Sequence, residues 1–251
     1  MSKPYFLTII TPVFNNSFFI EACMQNVIKQ NCINVEHLII DGASTDGTIE
    51  IVKKYAEKFE HIKWVSETDK GQSDAMNKGI KLAKGEIIGF LNADDGYFNF
   101  TLNRITQIFK RNKDIQFVVG NCKLVNEKSE LIYINRPARL RHYHFYSKKV
   151  PYPINPVSYF YKKNIHENEF VGMYNESNFH NMDYEFLLKA CLIVNLIYFN
   201  EDWGYMLEHP NAVTSKDVNI QSRKNSLHKK YFNAAPLKVK VLAQLYKRFK
   251  F

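Results

Sequence analysis

The stretch Glu86-Ile-Ile-Gly-Phe-Leu-Asn-Ala-Asp-Asp95 decides the fold. It is a continuous apolar run that passes directly into two adjacent carboxylates, which reads as a buried strand delivering charge at its carboxyl end. Outward from it, Ser73 to Ala83 predicts a helix stopped near Gly85, and Ile62-Lys-Trp-Val-Ser66 predicts a strand. Before these come a helix from Thr48 to about Phe59, the turn Gly42-Ala-Ser-Thr-Asp-Gly47 and the buried strand His37-Leu-Ile-Ile-Asp41. A helix from Ser17 to about Lys29 and a first strand, Phe6-Leu-Thr-Ile-Ile-Thr11 closed by Pro12, complete the half. Strands that are apolar throughout, alternating with helices, predict an α/β fold with a mainly parallel sheet flanked by helices on both faces.

Ligands of such sheets bind at the carboxyl ends of the strands. Thr11, Asp41, Glu67, Asp69, Asp94 and Asp95 all fall just past a strand end. The glycine-rich phosphate loops of dinucleotide-binding and P-loop proteins are absent. A phosphate-bearing ligand therefore calls for another device, most simply a divalent metal held by carboxylates.

The second half is less regular. Gln116 to Gly120 and Leu131 to Ile134 read as strands, 136–163 as a long aromatic, basic and proline-rich loop, and Met182 to about Ile193 as a helix. The last 30 residues read as one or two basic helical segments. Of 34 Lys/Arg, nine lie between Arg223 and Phe251, where there is no Asp or Glu. The remaining 25 balance the 25 acidic residues of positions 1–222, so the tail carries the whole net charge of +9. This argues against a nucleic-acid-binding domain, whose basic footprint belongs on the folded body, and points to an anionic surface such as a membrane leaflet. No apolar run approaches the ~20 residues of a membrane span, and no signal peptide is evident. Four scattered cysteines indicate neither a zinc site nor a disulfide framework, so a cytoplasmic setting is expected, peripheral to the membrane if the tail binds it.

Four segments resemble family-2 inverting glycosyltransferases of the GT-A fold, in the branch that builds bacterial surface polysaccharides. They are Thr8 to Asn15, Leu38 to Thr48, Ser66-Glu-Thr-Asp-Lys-Gly-Gln-Ser-Asp-Ala-Met-Asn-Lys-Gly79 and Gly85 to Asp95. The resemblance implies a donor-binding half over 1–110, an acceptor and catalytic-base half over 111–215, and a basic helical extension over 216–251. It implies a nucleotide-sugar donor, UDP in the first instance, a glycan or lipid-linked glycan acceptor, and Mn²⁺ or Mg²⁺ as cofactor. Thr11, Pro12, Phe14 and Asn15 would line the nucleobase side, with Asp41 accepting a hydrogen bond from base or ribose. Asp69, Lys70, Gly71, Asp74 and Asn77 would wall the donor, continued by Asn92, Ala93 and Asp94. Asp95 would ligate the metal, and His209, in Tyr205-Met-Leu-Glu-His209, would reach the metal or the diphosphate. Asn92 departs from the family's pattern, in which an acidic residue often stands there.

In the same family a carboxylate at the start of a second-half helix takes the proton from the acceptor. Asn181-Met-Asp-Tyr-Glu-Phe186 matches that segment, with Asp183 as base and Glu185 as second choice. Asn181 could cap the helix, whose dipole would then lower the pKa of Asp183.

Each assignment has a plainer counterpart. Asp41 could simply cap the turn with Ser44 and Thr45. His142 and His144 have metal-like spacing but suit an aromatic acceptor loop better, with Arg136, Arg139 and Arg141 for an acceptor phosphate. In the tail, Leu237, Val241, Leu245 and Phe249 recur at i, i+4 spacing, which suits a helix docked on the body or one lying on anionic lipid. A catalytically inactive scaffold is the main rival, but both key carboxylate positions are filled. A nucleotidyltransferase would need a basic glycine-rich loop after the first strand. A polymerising synthase would need membrane spans and a Gln-x-x-Arg-Trp motif.

Overall fold

The computed structural model describes residues 5–149, 151–178, 181–210 and 219–249. Four strands of the first half, β1 (Leu7–Val13), β2 (Val35–Asp41), β3 (Ile62–Ser66) and β4 (Ile87–Phe90), pair in parallel in the order β3-β2-β1-β4. Every residue of β1, β2 and β4 is buried, as a sheet covered on both faces requires. Helices α1 (Ser17–Lys29), α2 (Thr48–Lys58) and α3 (Gln72–Leu82) make the crossovers.

Period-2 alternation along β1 assigns the two faces. Ile10 packs with Met76 and Ile80 of α3, while Leu7 and Ile9 pack with Cys23 and Val27 of α1. The approach of α3 to β1 depends on Gly79, where a Cβ would come within 2.4 Å of Ile10 Cγ2.

The second half turns the sheet mixed. Strand β5 (Gly96–Tyr97) and helix α4 (Thr101–Arg111) lead to the long strand β6 (Phe117–Asn126), which forms a hairpin with β7 (Leu131–Asn135). Helix α5 (His142–Ser147) and a 3₁₀ turn over Pro156–Ser158 precede β8 (Tyr159–Lys162). Helix α6 (Met182–Ile193), strand β9 (Leu196–Glu208), and helices α7 (Ile220–Ala234) and α8 (Leu237–Phe249) finish the chain. Strand β8 enters the sheet between β4 and β6, antiparallel to both, while β9 runs parallel to β6 and antiparallel to β5. The fold is therefore α/β as expected, with a parallel first half and antiparallel pairings that enter with β5, β7 and β8.

One expectation fails here for a physical reason. The segment 136–163 is not a loop throughout: it holds α5 and β8. Tyr159, Phe160 and Tyr161 are fully buried in mid-sheet. An aromatic run beside prolines reads as irregular, yet aromatic side chains suit the pleat and each stabilises it by roughly 1.5–3 kcal/mol when buried. Within this segment Arg139 and His144 meet helix α8. Arg139 donates to Tyr246 Oη of α8 at 3.0 Å, and His144 is buried against the same ring at 4.6 Å.

Candidate active site

The turn after β4 presents Asp94 and Asp95 in opposite ways. Asp95 is buried: its Oδ2 accepts from Asn92 Nδ2 and Asn155 Nδ2, both at 2.8 Å, and its Oδ1 from the Leu207 amide at 3.2 Å. Burial first, and the adjacent Asp94 charge second, push its pKa up to about 7, although the three donors oppose the shift. Asp94 is more open, and its Oδ2 meets His209 Nε2 at 3.0 Å. His209 also lies against the Phe19 ring of α1 at 5.0 Å. The sheet thus brings Asp94, Asp95 and His209 together from the ends of β4 and β9. His209 touches Asp94 directly.

Asn92 has a different task from the expected donor contact. Its amide is committed to Asp95 and to Gln72 Nε2, 3.0 Å away at the start of α3, so it braces the aspartate from beneath. Ala93 beside it is buried.

On the nucleobase side, the exposed surface is narrower than the sequence suggested. The Thr11 side chain is buried beneath the strand end, 2.9 Å from His37 Nε2, and Pro12 is buried within β1. Neither side chain faces solvent, because both belong to a strand covered on its two faces. Phe14 stands beyond that strand at 62% exposure. A Cβ on Gly42 would fall 2.6 Å from Asp69 Oδ2 and 3.2 Å from Phe14 Cδ2, so Phe14, Gly42 and Asp69 converge on one spot. Asn15 ties the strand end to the 42–47 turn: its N–H donates to Ser44 Oγ at 2.8 Å, and its Oδ1 accepts from the Thr45 amide at 2.8 Å. Asp41 anchors the same turn, accepting from the Ser44 amide (3.1 Å), Ser44 Oγ (2.5 Å) and Ser66 Oγ (2.6 Å). The turn-capping interaction is the one the structure contains.

The segment after β3 is held by its own carboxylates. Asp69 Oδ1 accepts from the Gly71 amide at 2.8 Å, and Asp74 Oδ2 accepts from the Lys70 amide at 3.0 Å. Gly71 has φ 124°, where a side chain would be strained. Lys70 is exposed, with Glu176 3.5 Å away. Asn77 does not wall a ligand: both ends of its amide bond the Tyr174 backbone at 2.9 Å, stapling α3 to the second half. Ser73 Oγ adds a bond to the Asn178 carbonyl at 3.1 Å.

Asp183 sits in the first turn of α6, and Tyr159 Oη donates to its Oδ1 at 2.8 Å. Its pKa is raised to about 6 by burial, with Tyr159 and the Lys224 charge pulling the other way. The helix dipole was expected to lower it; desolvation beside Tyr159 outweighs that pull. Asn181 occupies the cap position but makes no side-chain cap, and both polar atoms of its buried amide are without partners among the described residues. Glu185 is a packing anchor, accepting from Asn178 Nδ2 at 2.8 Å and Tyr231 Oη at 2.5 Å. The hydroxyl residues Thr214 and Ser215, at the end of the segment around His209, lie outside the described residues.

Asn155 and Tyr159 were not singled out from sequence. They are four positions apart, a backbone span of at most about 14 Å. Asn155 bonds Asp95 and Tyr159 bonds Asp183, so one short segment reaches both carboxylates. The only signal in the sequence was the turn-forming Asn155-Pro156 pair.

A divalent cation fits this chemistry in one way. Among the described residues no three His, Cys, Asp or Glu side chains form a ready-made cage. Mg²⁺-type ions need none when one or two carboxylates act with the phosphates of a ligand. Asp95 has the matching character, since a cation nearby would favour the ionised form that burial disfavours.

The mixed sheet, with its parallel first half, flanking helices and carboxylates at the strand ends, is the GT-A fold. The model of glycosyl transferase family 2 matches residues 8–168, and the chain belongs to that family. It is 37% identical over 89 residues to the uncharacterized glycosyltransferase YibD of Escherichia coli, covering 36% of this chain and 26% of that one. It is 34% identical over 123 residues to a PGL/p-HBAD biosynthesis glycosyltransferase of Mycobacterium bovis, covering 48% of each. The chain thus spans less than half the length of these relatives. In fold it is similar to S. aureus TarS 1–349 solved with UDP-GlcNAc, at a TM-score of 0.77 and 18% identity, covering 98% of this chain and 73% of that one. It is also similar to the mannosyltransferase PcManGT of Pyrobaculum calidifontis, solved with GDP-Man and Mn²⁺, at a TM-score of 0.67 and 19% identity, covering 99% and 71%.

Proposed function

We propose that this protein is an inverting, metal-dependent glycosyltransferase. It moves one sugar from a nucleoside-diphosphate donor, UDP in the first instance, to a hydroxyl of a growing bacterial glycan. The observation that carries the reading is the 155–159 segment, which bonds a buried carboxylate of the donor half at one end and a carboxylate of raised pKa at the other. That is the coupling a displacement needs between leaving group and base. The donor complexes of TarS and PcManGT support the donor class, and the Mn²⁺ of the latter supports the metal.

Phe14 offers an aromatic face to the base, above Gly42. Asp41 is buried with its carboxylate engaged by Ser44 and Ser66, so its part is to order the turn on which the base rests. Asp94 and Asp69 border the ribose and diphosphate, with Lys70, Gly71 and Asp74 shaping that wall. Asp95, with His209 near it, would hold Mn²⁺ or Mg²⁺, which supplies charge neutralisation to the departing diphosphate. Asp183 takes the proton of the acceptor hydroxyl as that oxygen bonds the anomeric carbon from the face opposite the leaving nucleotide. A base with a pKa near 6 is ionised at neutral pH yet still basic enough to accept. The acceptor is lipid-linked, and the enzyme works on the cytoplasmic face of the membrane, which its basic tail contacts.

Hydrolysis of a panel of nucleotide sugars, with and without Mn²⁺, tests this without knowledge of the acceptor. Metal-dependent release of one nucleotide by the wild type, lost in Asp95→Ala, is expected. Failure to bind or hydrolyse any donor would remove the enzymatic reading.

A further inference from the structure

Helix α8 carries two separate apolar stripes. Val239 and Ala243 are buried in the same core cluster as α6, and Tyr246 is buried on the same side and locked by Arg139 and His144. Leu237, Val241, Leu245 and Phe249 are exposed, the first and last at 76% and 62%. At 3.6 residues per turn, the centres of the two stripes lie roughly 150° apart around the helix. Docking therefore leaves a second apolar face, four side chains long, in water. A solitary exposed leucine needs no explanation, but a continuous stripe on one helix does.

The charge around it identifies the occupant. Lys238 and Arg248 fall within the arc of the exposed stripe, Lys240 and Lys247 lie to one side of it, and α7 and α8 contain no acidic residue. We infer that the exposed face of α8 is a docking surface for an anionic lipid leaflet, into which Leu237, Val241, Leu245 and Phe249 insert while the flanking cations meet phosphate headgroups. The docked stripe fixes the geometry of that contact, because α8 cannot leave the body without exposing Tyr246. Helix α7 links this surface to the base-bearing helix: Tyr231 bonds Glu185 of α6, and the Lys224 charge acts on Asp183. The membrane would thus lie on the acceptor side of the molecule. The inference deepens the reading of a lipid-linked acceptor and rests on it for its purpose, though not for its existence.

The test is co-sedimentation of the full chain with vesicles of phosphatidylcholine alone or mixed with phosphatidylglycerol. Binding to the anionic vesicles, weakened by salt, is expected. The double substitution Leu245→Glu with Phe249→Glu should lower partitioning by roughly a hundredfold, about one factor of ten per side chain. Leu237→Glu with Val241→Glu, at the other end of the stripe, should act alike. Circular dichroism and donor hydrolysis should be unchanged in both, since these side chains face solvent. Absence of wild-type binding, or equal binding by the variants, would overturn the inference. So would a dimer in sedimentation velocity that the substitutions dissolve, because it would assign the face to a second copy. Vesicle binding without donor turnover would support the surface and count against the transferase reading alone.

Discussion

Replacing Asp183 by Asn should abolish transfer and yet make the protein more stable at neutral pH. The carboxylate is half-buried at the start of α6, and desolvation lifts its pKa from 3.8 to about 6. Holding it ionised in the folded state then costs up to ~3 kcal/mol, at 1.36 kcal/mol per pH unit. Asp183 is still partly reached by solvent, so about 1–2 kcal/mol is the better expectation. The sign follows from linkage. A carboxyl whose folded pKa lies above its unfolded value binds its proton more tightly when folded. Its contribution to stability is complete below pH ~4 and is lost as pH rises through about 6. Asparagine carries no charge at any pH and keeps the oxygen that accepts from Tyr159.

Urea denaturation of wild type and Asp183→Asn at pH 4.5 and pH 8 isolates this group, since every other titration cancels in the comparison. The variant should gain about 1–2 kcal/mol relative to wild type between the two conditions. Acceptor-dependent transfer should vanish in the variant, and in the wild type it should fall on the acid side of about pH 6. The tyrosines facing the carboxylate (Tyr159, Tyr161 and Tyr174) are all raised above the usual tyrosine value by burial, far from this window. An equal stability difference at both pH values would refute the reasoning, as would a wild type more stable than the variant at pH 8. Either result would mean that Asp183 is solvated or paired, not held in a desolvated site.

Three further substitutions probe other parts of the arrangement. Asn155→Ala removes a donor from buried Asp95 and should cost about 1–3 kcal/mol in denaturant unfolding. The same change should raise the Mn²⁺ concentration needed for half-maximal donor hydrolysis. Gly42→Ala places a methyl 2.6 Å from Asp69 Oδ2 and 3.2 Å from Phe14 Cδ2, so the carboxylate must leave its place beside that ring. Nucleotide affinity by calorimetry should fall by roughly tenfold, about 1.4 kcal/mol, while the thermal midpoint stays put. Tyr246→Ala opens the contact between α8 and α5 and should cost about 3–5 kcal/mol of local stability. Limited proteolysis should then cleave the tail early, with donor binding intact.

What could be read from sequence follows the distance over which the cause acts. Strands β1, β2 and β4 were legible because parallel strands buried on both faces are continuous apolar runs, and β2 and β4 lead into the carboxylates Asp41 and Asp94-Asp95. Strand β8 was not, because the burial of Tyr159 to Tyr161 is set by β4 and β6, tens of residues away. The same holds within the site. Asp95 and Asp183 stand out by position, but of Asn155 and Tyr159, which bond them, only the first carries a local mark, the turn signal with Pro156. Thr11, Asn77 and Asn92 show the converse: residues of plausible type at plausible spacing whose polar atoms turn out to be consumed by His37, Tyr174 and Asp95. Polar side chains near a strand end have two uses, binding a ligand or bracing a neighbour, and only their hydrogen-bond partners separate the two. Helix α8 carries the same ambiguity in apolar form. Its i, i+4 series from Leu237 to Phe249 is the pattern of a helix packed on a core, yet the packed residues are Val239, Ala243 and Tyr246. A helix apolar on two faces has two things to bury, and the body of the protein covers one.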